Sequence, residues 1–261
     1  MFTNNKKVIP ANVTNQDHPE MNPLRHASTV APPNKTKLQP TSTIPSGCGA
    51  ASTSAYLAQL RYASANNPTG NSINRNEVEI ILNNFDGIVV IDEAYINYSK
   101  QRSFIAELTE YPNLVVMQTL SKAWGLAGLR LGMAFASQPI IELMNKVKYP
   151  YNINTATQLL ALEALDNIDW VNEHIATTVF ERENLKNELL SLSFTEVVYP
   201  SDANFLLAKM KNARNIYEQL CEKGIIVRDR SKVVLCDDCL RITIGAESEN
   251  KILIDALNKM G

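Results

Sequence analysis

The sequence contains little that would mark an exported, membrane-spanning or nucleic-acid-bound protein. Four cysteines in 261 residues are too sparse for a disulfide framework, and residues 1–10 lack the apolar stretch of a secretory signal. A cytoplasmic location is the expectation. Apolar runs such as 87–91 and 131–136 fall far short of the roughly 20 residues a membrane helix requires. Charge of one sign is missing too: 25 Lys+Arg against 27 Asp+Glu give a net charge of −2, which offers a polyanion no global attraction. With only three histidines, metal chemistry has few ligands to draw on. Cys236 and Cys239 have CxxC spacing, but no second pair or nearby histidine completes a four-ligand zinc shell, so they read as a pair at a turn before a strand. The remainder, 45% apolar and 20% charged, matches soluble globular composition and is sufficient for a substantial core.

Residues 1–63 stand apart. They hold seven of the twelve prolines and only two acidic residues, Asp17 and Glu20, with no helical or strand periodicity beyond a helical candidate over 51–62. An irregular leader without its own core is expected there. Their basic residues are scattered rather than clustered, which argues against a nucleic-acid arm. The stretch Ser46-Gly-Cys-Gly49 imitates a phosphate loop only superficially and is assigned no function.

From Asn66 onward short β-branched runs alternate with helical patterns, the signature of an α/β fold with a parallel sheet. Asn74 and Glu77 are spaced as a capping box for a helix to 84, followed by a strand over 87–91, a helix over 103–110 and a strand over 114–119. Another strand is expected over 131–136, and helices to 192. That gives a large domain over 64–192. Beyond it, strands over 204–210, 225–227, 232–235 and 240–244 with helices over 213–222 and 247–259 make a smaller α+β domain over 193–261.

In an open parallel sheet, ligands bind beyond the carboxyl ends of the strands. Asp92 ends one predicted strand and Lys122 follows the next; Tyr95, Ser121 and Arg130 lie close by in sequence. Singly, each has an ordinary reading as a cap, a solvated side chain or a turn residue. Together, an amine, a carboxylate, a phenol and a guanidinium suit a pyridine aldehyde bearing a phosphate. In order, Asn66-Asn-Pro-Thr-Gly70, Val90-Ile-Asp-Glu-Ala-Tyr95, Thr119-Leu-Ser-Lys-Ala-Trp-Gly-Leu-Ala-Gly-Leu-Arg130 and Leu240-Arg-Ile-Thr-Ile-Gly245 resemble the signatures of fold-type I pyridoxal-phosphate aminotransferases. With Ala203-Asn-Phe205 and Gly224-Ile-Ile-Val-Arg228 added, the chain over about 64–261 is most similar to the histidinol-phosphate aminotransferase family.

The resemblance implies a partial fold-type I large domain plus a small C-terminal domain, and pyridoxal 5'-phosphate as cofactor. By it, Lys122 attaches the cofactor and moves the substrate proton, Asp92 faces the ring nitrogen, and Asn67 and Tyr95 bind the ring oxygen. Thr119, Ser121 and Arg130 hold the phosphate. Arg241 and Arg228 bind the substrate's anionic groups, although for Arg228 a surface pair with Asp229 or Asp237 is an equal alternative. An amino donor, an oxo acid and a second copy of the chain are the implied partners. Such a family member carries most of its large-domain sheet before the Asn-Pro-Thr-Gly turn, whereas only about 65 residues precede the turn in this chain. The expectation is the carboxyl-terminal part of such an enzyme behind an unrelated leader. Transamination of histidinol phosphate, another pyridoxal-phosphate aminotransferase or phospho-amino-acid lyase, and a noncatalytic remnant are the readings left open.

Overall fold

The computed structural model describes residues 59–260; the leader up to residue 58, with its phosphate-loop imitation, lies outside the described residues. The first described segment departs from expectation. Gln59–Ala63 is not the end of a helix but a strand, β1, paired in parallel with β2 (Ile88–Asp92) in the register Arg61 to Val90 and Ala63 to Asp92. β2 pairs in parallel with β3 (Leu114–Thr119), and β3 pairs antiparallel with β4 (Gly132–Ala136), giving the sheet order β1-β2-β3-β4. The sheet is therefore mixed, with three parallel strands and one reversed edge.

Both faces of this sheet are covered, which is why its central strands β2 and β3 carry short continuous apolar runs rather than alternating ones. Val89, Ile91, Leu114 and Val116 pack with Val78 and Leu82 of helix α1 (Arg75–Asn84) and with Phe104. Val78 and Leu82 are one helical turn apart and form the buried stripe of α1, whose first turn is capped by the Asn74 side chain accepting from the Asn76 N–H at 3.0 Å. On the opposite face Val90, Val115 and Ala134 meet Ile140 and Met144 of α2 (Gln138–Val147).

The helix expected over 103–110 is reduced to a 3-10 turn, Phe104–Glu107. Tyr111 N–H closes back on the Glu107 carbonyl at 3.1 Å and Pro112 follows, so the chain turns into β3 before a second helical turn forms. Helices α3 (Thr155–Leu165) and α4 (Ile168–Ser191) lead to the second unit. At 24 residues α4 is long enough to span both sheets, about 36 Å at 1.5 Å per residue.

The second sheet has the order β5-β6-β8-β7 and is antiparallel throughout: β5 (Thr195–Val198), β6 (Phe205–Met210), β7 (Arg228–Asp229) and β8 (Cys239–Thr243). Its core joins Leu206, Ala208, Leu240 and Ile242 to Leu185 and Leu189 of α4, Leu220 of α5 (Ala213–Glu222), and Leu253 and Leu257 of α6 (Glu247–Asn258). β5 was not expected from the sequence. The strands expected over 225–227 and 232–235 do not form: only Arg228 and Asp229 pair with β8, and 230–236 is a turn. Leu235 takes a positive φ of 63°, and Val234 and Leu235 are 85% and 90% exposed, so this apolar run makes no ladder.

Candidate active site

The carboxyl ends of β1, β2 and β3 open on one edge of the first sheet, and the chain leaving each strand delivers one part of the candidate site. Ser64 N–H donates to the Asp92 carbonyl and Glu93 N–H to the Met117 carbonyl, so the pairing runs past the strand ends and fixes where 64–67, 92–95 and 120–122 begin. Beyond β1, Asn66 to Asn71 forms a closed turn: Gly70 N–H donates to the Asn66 carbonyl, and the Asn67–Pro68 peptide is cis. Gly70 has φ +78°, and a Cβ on it would lie 2.9 Å from that of Ser201. Asp202 N–H donates to the Gly70 carbonyl at 2.7 Å. This turn is therefore where the second unit docks on the first.

A connected set of side chains crosses that junction. Lys122 Nζ stands 5.2 Å from the centre of the Tyr95 ring, and Tyr95 meets Phe205 edge to face at 5.3 Å. Phe205 carries the Arg241 guanidinium 5.0 Å above its ring, and Arg241 Nη1 donates to Asn67 Oδ1 at 2.9 Å. Lys122, Tyr95, Asn67 and Arg241, singled out separately in the sequence, thus share one site, with Phe205 as the ring that joins them.

Asp92 lies at the same edge. Its Oδ1 accepts from the Ala94 N–H at 3.2 Å, and its Oδ2 pairs with Arg61 of β1 at 2.7 Å. The neighbouring Glu93 faces inward and is buried, accepting from Ser103 Oγ at 2.5 Å, Phe104 N–H at 2.7 Å and Gln118 Nε2 at 2.9 Å. Burial raises the Glu93 carboxyl above the ordinary glutamate value against the opposing pull of these donors. Glu93 thereby locks the segment after β2 to the 103–104 turn. Burial likewise raises the Tyr98 phenol, with Tyr95 adding to the effect.

Thr119 Oγ1 donates to the Leu131 carbonyl at 3.1 Å and accepts from the Ser121 N–H at 3.1 Å, so it shapes the turn that presents Ser121 and Lys122. Arg130 is left-handed at φ 55° and exposed, and its Nη1 donates to the Ala127 carbonyl of its own turn. In the second unit Arg228 stands directly across the ladder from Arg241, and Arg230 continues the same strand face, its N–H donating to the Cys239 carbonyl. Asp229 pairs with Arg214 at 3.2 Å instead, and among the described residues neither Arg228 nor Arg230 has an ion-pair partner. Burial depresses the Arg241 guanidinium, and the Arg230 charge, then that of Arg228, adds to this. The Arg241 Nε is buried with no acceptor. Three like charges grouped without a paired carboxylate suit an anion chemically.

Sequence reasoning passed over Arg61, Phe205 and Arg230 as site members. Strand alternation held the signal for two of them: Arg230 is two residues from Arg228, and Arg61 lies two residues before β1 ends. Cys236 and Cys239 are buried free thiols in the turn entering β8, with Cys239 pushed up to about 11 chiefly by burial. No group of three or more His, Cys, Asp and Glu side chains among the described residues is arranged to hold a metal.

The side chains present suit the ring end of pyridoxal 5'-phosphate: an amine, a carboxylate, a phenol and an amide on one strand edge. They suit its phosphate through the Ser121 turn, with Arg130 held on its own backbone. The comparisons agree with that chemistry. A histidinol-phosphate aminotransferase of Flavobacterium johnsoniae is 51% identical over 194 residues, 74% of this chain and 56% of the relative. One of Parabacteroides distasonis is 52% identical over 197 residues, 76% of this chain and 57% of the relative. The crystal structure of the histidinol-phosphate aminotransferase from Clostridium acetobutylicum superposes with a TM-score of 0.73 at 25% identity, covering 77% of this chain and 63% of that one. This chain spans little more than half the length of the curated relatives it matches. The profile of aminotransferase class I and II matches residues 55–257, and the chain belongs to that family.

Proposed function

We propose that this chain binds pyridoxal 5'-phosphate and serves the reversible exchange of an amino group between histidinol phosphate and the 2-oxoglutarate/glutamate couple, a step of histidine biosynthesis. The observation that carries the reading is the junction itself: Lys122, Tyr95 and Asn67 on the sheet edge are continuous, through Phe205, with a cluster of arginines that has no carboxylate of its own. When bound, the cofactor supplies an aldehyde that condenses with amines and a ring that accepts an electron pair.

In this reading Lys122 Nζ would hold the cofactor, and would then take the proton from the donor's amine-bearing carbon and deliver it across the nitrogen to the cofactor's aldehyde carbon. Asp92 keeps a proton on the ring nitrogen through its negative charge. Tyr95, held edge-on by Phe205, and Asn67 donate to the ring oxygen. Ser121, the Thr119 turn and Arg130 receive the cofactor phosphate, for which the Arg130 guanidinium leaves the Ala127 carbonyl. Arg241, Arg228 and Arg230 bind the donor's phosphate dianion, and in the second half of the cycle the carboxylates of the oxo acid. Arg241 is the pivot because it also orients Asn67.

A homodimer belongs to the same proposal. Leu159, Leu160 and Leu162 of α3 and Trp170 of α4 are large apolar side chains left exposed, a surface suited to a second copy. So does a cytoplasmic location, which fits the free state of Cys221, Cys236 and Cys239.

The test is a single-turnover measurement on the full chain loaded with pyridoxal 5'-phosphate, with histidinol phosphate or phenylalanine as donor. Faster turnover of the phosphorylated donor, lost in Arg228→Lys because an ammonium cannot reproduce the planar fork, supports the reading. A preference for phenylalanine that survives the substitution overturns the substrate and leaves the cofactor standing.

A further inference from the structure

The carboxylate assigned to the ring nitrogen already has a cationic partner. Arg61 lies on β1 opposite Val90 in register, so the pleat puts its side chain on the sheet face that Val90 shares with Asp92. Asp92 itself is opposite Ala63, one diagonal step along, a separation a long side chain can bridge. Arg61 reaches forward along the strand and sets its Nη2 2.7 Å from Asp92 Oδ2. The other carboxylate oxygen accepts from Ala94 N–H. Both oxygens therefore carry a donor, and the negative charge a protonated ring nitrogen requires is offset by a guanidinium.

We propose that Arg61 is a gate on the cofactor site: it occupies the Asp92 carboxylate, and the pyridine ring binds by displacing it. The proposal rests on the reading that Asp92 faces the ring nitrogen. Exposure gives it the room to act. The Arg61 side chain is 49% exposed and sits on the outermost strand of the sheet among the described residues, so it can swing out to solvent, whereas Asp92 is 24% exposed and fixed by its backbone contact. A half-exposed pair contributes little to folding, so the restraint weighs mainly on the ligand. After displacement the cation remains beside the carboxylate and still competes for its charge. Arg61 is thus a positioning residue that sets how strongly Asp92 holds the ring.

The experiment is an equilibrium titration of the full chain with pyridoxal 5'-phosphate, and in parallel with pyridoxine 5'-phosphate, which has no aldehyde to react with an amine. Tryptophan fluorescence reports binding, since Trp124 lies two residues from Lys122. At low ionic strength, where surface pairs are least screened, Arg61→Met should tighten both ligands by about 1.5- to 5-fold, the range such a pair commands. Arg61→Lys, which keeps the charge, should stay near the unaltered chain, and Arg61→Gln serves if the Met variant does not fold. In an Asp92→Asn background the gain from Arg61→Met should vanish. Unchanged or weaker affinity in Arg61→Met overturns the gate. An affinity indifferent to Asp92→Asn overturns instead the pairing of Asp92 with the ring nitrogen. A chain that takes up neither ligand, with or without Arg61, overturns both.

Discussion

Replacing Arg182 with Met isolates the contact that holds the two halves of the site together. Arg182 of α4 is buried, and its Nη1 donates to the Ala203 carbonyl at 2.8 Å and to the Tyr98 carbonyl at 3.4 Å. Tyr98 follows Tyr95 in the segment after β2, and Ala203 precedes Phe205 in the second unit, so this one guanidinium clamps both partners of the ring contact. Methionine keeps most of the stem's packing and removes the donors. A hydrogen bond from a charged donor contributes about 1.5–3 kcal/mol, and with the longer bond at the low end the two come to about 3–4.5 kcal/mol. Against this, Arg182 Nε is buried without an acceptor, and its removal returns about 1–2 kcal/mol. The Glu183 pair, at 3.7 Å with an exposed carboxylate, adds little. The net loss should be about 1–3.5 kcal/mol, or about 2–14 °C in Tm for a unit of this size. Urea unfolding followed by circular dichroism measures it. A loss below about 0.5 kcal/mol would refute the view that Arg182 clamps the junction.

Gly70→Ala places a side chain at φ +78° against Ser201, and should cost about 2–4 kcal/mol from left-handed strain and overlap; Ser201→Gly in the same chain should restore part of it in urea unfolding. For Glu93, whose folded pKa is raised, the native state binds the extra proton, so stability should fall as pH rises from the ordinary glutamate value through the raised one. Denaturant midpoints across that window should show the slope, and Glu93→Gln should abolish it; a slope unchanged in the variant would contradict the assignment. Arg230→Gln should weaken histidinol phosphate by about tenfold or more relative to histidinol in calorimetric titrations, as loss of one charge-assisted bond requires; equal weakening of both ligands would remove Arg230 from the anion site.

How legible these features were depended on whether local sequence or tertiary contact decides them. The strand over 114–119 and the helix over 213–222 match the observed bounds, because an apolar run from Leu114 to Met117, buried over its first three residues, and an amphipathic stripe through Ala213, Ile216 and Leu220 leave one solution. The 103–110 segment failed because its fate is set by Glu93, ten residues away, whose carboxylate captures Ser103 and the Phe104 N–H. The run over 232–235 has strand composition, but it spans the turn between β7 and β8, where a left-handed Leu235 prevents pairing. β1 was hidden because Tyr62 is its one strong strand former among Gln, Leu, Arg and Ala; pairing with β2 decides it. For the candidate site, motif order singled out Asn67, Asp92, Tyr95, Lys122 and Arg241, which the structure brings to one sheet edge and the junction beside it, whereas Arg61 and Phe205 make contacts across strand and unit boundaries that no linear pattern displays.

In the proposed reading Lys122 is the amine to which pyridoxal 5'-phosphate attaches. The most direct test of this reading is borohydride reduction of the full chain after incubation with the cofactor, followed by peptide mapping. One reduced adduct is expected, on Lys122, in the peptide that carries Ser121 and Trp124, and it should be absent in Lys122→Ala. Label spread over the exposed lysines such as Lys146, Lys148 and Lys223, and undiminished in that variant, would contradict it.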